Sequence, residues 1–222
     1  MMNNHLADNL ISQINNVQIQ KDKQLLISDA DEVLLHFLPA FEDYLNEHGY
    51  WYDLKSYALF GNIKQLRDDL PIPNEEVIKC LEDFFKKNVR NISFVNDSIV
   101  YLKNLMIKHN FQIIILTNIP FEYLDDRRKC FEDNDLSLPI IAGKGPKGEV
   151  IKEITKNYDK KFFFIDDLAP HIISTKNENK LVKTIHYISD PRLSRLADTP
   201  QEADFRAKSW KDIYSFITNE IN

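Results

Sequence analysis

The chain has 222 residues, with 28 Lys and Arg against 34 Asp and Glu for a net charge of −6; 43% of it is hydrophobic and 11% aromatic. That is enough apolar material for one good core plus a small second unit, and with only 5 Gly and 9 Pro it excludes a disordered or collagen-like chain. Apolar runs such as Ile113 to Leu116 and Phe162 to Ile165 stop at four or five residues, far short of the roughly 20 a membrane-spanning helix needs, and the mild acidity argues against a broad nucleic-acid-binding face.

Leu6, Leu10, Ile14 and Val17 recur at helical spacing and predict an amphipathic leader helix over residues 5 to 18. The polar start of the chain has no basic segment leading into an apolar one, so it does not read as a signal peptide, and the cytoplasm is the expected location. Gln24 to Ser28 reads as a buried strand that ends in Asp29-Ala30-Asp31. From Glu32 to about Arg90 the spacing is helical, through Leu34, Leu35, Leu38, Phe41 and Leu45 and later Val77, Ile78, Leu81, Phe84 and Phe85. Pro71-Ile72-Pro73-Asn74 breaks this run, and no strand-like alternation appears between Val33 and Val89. Residues 36–90 are therefore expected to form a helical insert, with 1–35 and 91–222 as the core. Asp97 to Lys108 reads as a helix, Phe111 to Leu116 as a strand ending in Thr117-Asn118, and Glu122 to Asn134 as a charged helix. Pro139 to Ala142 is a short strand before the loop Gly143 to Gly148, and Glu149 to Tyr158 is a helix. Lys161 to Ile165 is a strand ending in Asp166-Asp167, Val182 to Ile188 a last strand, and Trp210 to Ile217 a closing helix. Strands alternating with helices predict an α/β, doubly wound parallel sheet.

Ligands of such a sheet bind at the carboxyl ends of its strands. Three apolar runs end there in polar groups: Asp29 and Asp31, Thr117 and Asn118, Asp166 and Asp167. Four converging acids would repel one another without a cation. Oxygen ligands unaccompanied by His or Cys suit a hard ion such as Mg²⁺, and a hydroxyl and a lysine beside it suit a phosphoryl group. Asp29 and Asp31, two apart, project to the same side, so one can attack while the other moves protons. Cys80 and Cys130 are far apart, form no zinc-type cluster, and read as reduced thiols.

Four segments resemble the motifs of the haloacid dehalogenase-like hydrolase superfamily, most of whose members are phosphatases. Leu25 to Val33, containing Asp29-Ala30-Asp31, resembles its first motif; Ile113 to Asn118 the second; Lys147-Gly148-Glu149-Val150-Ile151 the third; and Phe162 to Asp167 the fourth. Their order spans residues 25 to 172, and the insert falls where the family places a cap. The resemblance implies Asp29 as the nucleophile that forms an aspartyl-phosphate, and Asp31 as the general acid and base. It implies Thr117, the backbone N–H of Asn118, and Lys147 as phosphate-binding groups. It also implies Mg²⁺ held by Asp29, the backbone carbonyl of Asp31, and Asp167, with Asp166 behind them. The carbon–halogen-cleaving members lack an acid at position 31, so phosphate chemistry is favoured.

Three departures stand out. Glu32 occupies a position where Gly is frequent. His171 replaces an Asp or Asn and either bonds a carboxylate or simply starts a helix, the second being favoured. The third motif has two candidate lysines, Lys144 and Lys147, with Lys147 favoured because a lysine at a helix start opposes the helix dipole unless an anion is there. His36 on an apolar helix reads as packed. Trp51, Tyr52, Tyr57 and Phe60 read as packing in the insert more than as a specificity pocket. Lys86, Lys87 and Arg90 suit a helix C-terminus, and Asp125, Asp126, Arg127, Arg128 and Lys129 read as a solvated face. The expectation is a Mg²⁺-dependent phosphohydrolase acting on a small phosphorylated metabolite, with no nucleic-acid or membrane partner. The alternatives are a phosphotransferase or mutase of the same superfamily, or a binding protein that keeps the fold without turnover.

Overall fold

The computed structural model describes residues 8–221. The first helix, α1, is Asp8–Asn15; the start of the expected leader helix, with Leu6, lies outside the described residues. The core strands are β1 (Gln24–Ser28), β4 (Phe111–Thr117), β5 (Ile140–Ala142), β6 (Phe162–Asp166), β7 (Val182–His186) and β8 (Phe205–Arg206). They form one six-stranded sheet in the order β5-β4-β1-β6-β7-β8 with every pairing parallel.

Successive residues of a strand face opposite sides, so a continuous apolar run feeds two cores at once. Leu26, Ile113, Ile115, Phe163 and Ile165 pack on one side, with residues of α4 (Ser98–His109) and α9 (Trp210–Ile221). Leu25, Ile27, Ile114, Leu116 and Phe164 pack on the other, with α1, α6 (Gly148–Ile154) and α7 (Ala169–Glu178). On that side Gln13 of α1 exchanges two hydrogen bonds with the backbone of Ala142, at 2.8 and 3.2 Å, which stitches α1 to edge strand β5. Helix α5 is Leu124–Glu132, after a single 3₁₀ turn at Phe121–Tyr123, and α8 is Pro191–Ser194. No helix among the described residues is long and apolar enough to cross a membrane. Cys80 and Cys130 are both free and buried.

Between β1 and α4 lies the insert. It contains α2 (Phe37–Glu47), α3 (Asn74–Asn88) and, between them, a hairpin of β2 (Tyr50–Tyr52) and β3 (Ile63–Gln65), paired antiparallel. The expectation of an all-helical block is corrected by this hairpin. Three-residue strands are too short to show alternation, although the aromatic run Tyr50-Trp51-Tyr52 and positive-φ Gly49 and Gly61 were available as signals. The two ends of the insert run side by side. His36 N–H donates to Ser93 at 2.9 Å and Val95 N–H to Leu34 at 2.8 Å, so the block leaves and re-enters the core through one stem.

Candidate active site

Each site residue owes its place to the end of a strand or the start of a helix. Asp29 follows β1 and its N–H donates to Ile165 of β6 at 2.9 Å, which pins it at the point where strand order changes direction. Asp166 closes β6, and Asp167 follows it. Lys147 caps the start of α6. The next residue, Gly148, explains how it gets there: a Cβ at that position would collide with the Ser174 carbonyl and the Glu178 side chain. Only glycine lets α6 press against α7 and carry Lys147 into the acids.

Lys147 is buried, and its ammonium lies 2.8 Å from Asp29 Oδ1 and 2.7 Å from Asp166 Oδ2. The Lys147 ammonium is the partner of Asp29 Oδ1, which is otherwise buried. Asp166 has both oxygens engaged: Oδ2 by Lys147, Oδ1 by the N–H of Leu168 at 2.9 Å and by Nδ1 of His171 at 3.0 Å. Burial works against its ionisation, but Lys147 and His171 hold its carboxyl below the usual range. Burial pushes Asp29 up, with Asp166 and Asp31 adding to the push and Lys147 opposing it. Asp167 is driven well up by burial and by Asp166 and Asp29. Lys147 is held in its charged form by the two carboxylates in spite of burial.

Asp29, Asp166 and Asp167 each offer an oxygen within 4.8 Å of the others. One lysine cannot neutralise three carboxylates. This all-oxygen set therefore fits a hard divalent cation. Asp167 and Asp29 keep oxygens for it, whereas Asp166 is committed to Lys147, Leu168 and His171.

Asp31 stands apart from that cluster. Its carboxylate accepts from Arg127 Nη2 at 2.8 and 3.0 Å, and Thr117 Oγ1 lies 3.5 Å away. Its carboxylate being so engaged, Asp31 could join a ligand set only through its backbone carbonyl. Arg127 itself corrects the solvated-face reading of α5. Its side chain is 0% exposed, while Asp125 and Arg128 pair on the surface. Nothing local distinguishes Arg127 from its charged neighbours; an Arg at one inward position of a helix after the second motif was the available signal. Asp31→Asn should therefore do more than alter proton transfer. It would leave a buried guanidinium without a counter-charge, and removing one partner of a buried pair costs roughly 3–5 kcal/mol. Denaturant unfolding should show a loss of this order. The double variant Asp31→Asn/Arg127→Met should recover most of it, and a double variant no more stable than the single one would refute the pairing.

The other departures resolve as follows. His171 sits in the first turn of α7 and also bonds Asp166, so the favoured helix-start reading is corrected to include a carboxylate contact. Its other nitrogen is 3.4 Å from Asn118, whose side chain donates to Gly145 at 3.0 Å at the site's mouth. Glu32 adopts the left-handed φ of 57° that glycine would take easily. Its buried carboxylate offsets the strain by accepting from Leu38 N–H, Ser189 Oγ and Asp190 N–H at 2.6, 2.9 and 3.1 Å. Lys144 is exposed on a separate cleft of about 850 Å³. His36 is half-buried just before α2.

A pocket of about 320 Å³ opens on Asp29, Asp31, Thr117, Asn118 and Asp167, and the insert supplies its opposite wall. Tyr57 of the insert donates a hydrogen bond to Asp167 Oδ2, and burial with that carboxylate drives its hydroxyl far up. Tyr52 also lines the pocket, whereas Trp51 bonds Asp69 at 3.1 Å and Phe60 is exposed.

No family model matches this sequence, and no curated protein matches it. Among solved structures, a haloacid dehalogenase-like family hydrolase from Streptococcus pneumoniae is similar at a TM-score of 0.59 and 12% identity, over 88% of this chain and 98% of that one. The hydrolase YfnB from Bacillus subtilis, bound to magnesium, is similar at 0.60 and 13%, over 88% and 98%. A protein described as a beta-phosphoglucomutase from Thermotoga maritima is similar at 0.56 and 14%, over 88% and 99%.

Proposed function

Because this chain carries the haloacid dehalogenase-like fold, we propose that it is a Mg²⁺-dependent phosphohydrolase acting on a small phosphate monoester. The observation that carries this reading is Asp29 itself. It is a buried carboxylate that lines a pocket, with the ammonium of a buried lysine 2.8 Å from its Oδ1 and two further acids beside it.

In this reading an oxygen of Asp29 attacks phosphorus and the ester P–O bond breaks. Asp31 gives a proton to the departing oxygen, then takes one from the water that splits the aspartyl-phosphate and returns Asp29 as a carboxylate. The Arg127 contact and Thr117 hold Asp31 in one orientation for both transfers. Thr117, the N–H of Asn118 and Lys147 bind phosphoryl oxygens, and Lys147 also restrains Asp29 and Asp166. Asp29, Asp167 and the Asp31 carbonyl would hold Mg²⁺, which when bound supplies positive charge to the crowded acids and the phosphoryl oxygens. The insert acts as a cap that excludes water from the reacting atoms.

Phosphate release from a panel of phosphorylated metabolites tests the reading. Release is expected with Mg²⁺, to be abolished by chelator and restored by added Mg²⁺. Asp167→Ala should raise the Mg²⁺ concentration for half-maximal rate at least ~10-fold, the scale of losing a group that shapes metal affinity. Full activity in chelator would assign the acid cluster another purpose. A mutase would pass the phosphoryl group to a second hydroxyl instead of to water, and the stoichiometry of phosphate released to substrate consumed separates the two.

A further inference from the structure

From the wall opposite Asp29 we infer that the substrate is the phosphate monoester of an uncharged, apolar alcohol, aryl-bearing or alkyl, and not a sugar, an amino acid or a second anion; this rests on the phosphohydrolase reading. At about 320 Å³ the pocket is at the small end for a ligand site. Asp29, Asp31, Thr117, Asn118 and Asp167 line it where the phosphoryl group would react. The remainder is lined by Phe37, Leu38, Leu59 and Phe85 from the insert and Leu168 and Leu193 from the core.

The hydroxyl donors on that side are already used, and the buried carboxylate there is fully engaged. Tyr52 hydroxyl donates to the carbonyls of Ser56 and Ala58, at 3.2 and 3.3 Å. Tyr57 hydroxyl donates to Asp167. Glu32 has one oxygen on Leu38 N–H and the other on Ser189 and Asp190. A polyol placed there would find no free donor and only the lone pairs of two tyrosine hydroxyls, so most of its hydroxyls would lose water without a replacement, a cost that disfavours it. No Lys or Arg is among the lining residues, and Asp29, Asp31, Glu32 and Asp167 are. A carboxylate or second phosphate on the leaving group would meet like charge, with His171 alone among the lining residues able to offset it. An apolar group instead removes the pocket's aromatic and leucine surfaces from water at no such cost. The balance of the reaction is that of hydrolysis: the P–O bond breaks, the alcohol leaves with a proton, and water supplies the hydroxyl that completes inorganic phosphate.

The experiment compares kcat/KM of the full chain with Mg²⁺ for benzyl phosphate, glucose 6-phosphate, O-phosphoserine and phosphocholine. All are primary alkyl monoesters, so leaving-group chemistry changes little while the pocket contact changes greatly. Acetyl phosphate, whose small acyl group needs no pocket, reports whether the phosphoryl chemistry works at all. Benzyl phosphate is expected to exceed glucose 6-phosphate and O-phosphoserine by at least ~10-fold, mostly through KM, the scale of a few apolar groups in a fitted pocket, and phosphocholine by a smaller margin because the lining acids attract its cation. Leu59→Asn, on the insert loop, should cut the preference for benzyl phosphate over glucose 6-phosphate by at least ~5-fold. Turnover of acetyl phosphate with a sugar, serine or choline ester equal to or better than the benzyl ester overturns the apolar assignment and leaves the phosphohydrolase standing. Release of phosphate from none of the five overturns the phosphohydrolase reading and this inference with it.

Discussion

Lys147→Ala is expected to lower kcat by at least ~100-fold, about what one preorganised donor contributes to a transition state. The geometry gives the reason. The ammonium is buried between Asp29, the proposed nucleophile, and Asp166, so its charge is felt where the phosphoryl group would be transferred. That charge matters most when the phosphoryl group is in transfer, so kcat should fall and not KM alone. The same substitution leaves two buried carboxylates facing each other without a cation, a loss of roughly 3–5 kcal/mol of stability. Activity must therefore be normalised to the folded fraction. Lys147→Met, which keeps most of the volume, separates the lost charge from the cavity. Lys144→Ala, at an exposed position on another cleft, should cost less than ~10-fold and act mainly on KM. If Lys144→Ala proved the more damaging of the two, the third motif would belong at Lys144.

Asp29→Asn is expected to bring turnover to background. An amide cannot form the acyl-phosphate; of the neighbouring acids, Asp166 has both oxygens engaged, Asp31 is turned to Arg127, and Asp167 is bonded by Tyr57 and assigned to the cation. Stability should change less than activity. Burial already pushes the Asp29 carboxyl up, so its ionised form is held at a cost that a neutral amide avoids. Loss of attraction to Lys147 opposes that gain. Beryllofluoride, a mimic of the phosphoryl group, should attach to Asp29 in the parent protein and to nothing in the variant. An Asp29→Asn protein that keeps most of its turnover would end the aspartyl-phosphate mechanism.

The amino-acid sequence by itself determined the sheet and the polar residues at the carboxyl ends of its strands. Leu25 to Ser28, Phe111 to Leu116 and Phe162 to Ile165 are apolar on every residue or nearly so, and a short continuous run buried on both faces has few alternatives to a central parallel strand. Because the polar residues follow directly on those runs, placing the strand places Asp29, Thr117, Asp166 and Asp167 as well. Contacts between residues remote in the chain were decided only by the tertiary structure. Arg127 sits among five other charged residues of α5, and it turns inward because Asp31, 96 residues away, lies across from it. Tyr57 reaches Asp167 over a separation of 110 residues, which spacing in the insert could not reveal. The hairpin of β2 and β3 depends on pairing between two three-residue segments, each too short to carry a period. The two lysines of the Gly143 to Gly148 loop differ little in local sequence, but one is buried among carboxylates and the other exposed, because Gly148 alone allows α6 to close against α7. Local chain propensities are set by neighbours a few residues away, whereas the burial of a charge is set by whatever the completed fold brings to meet it.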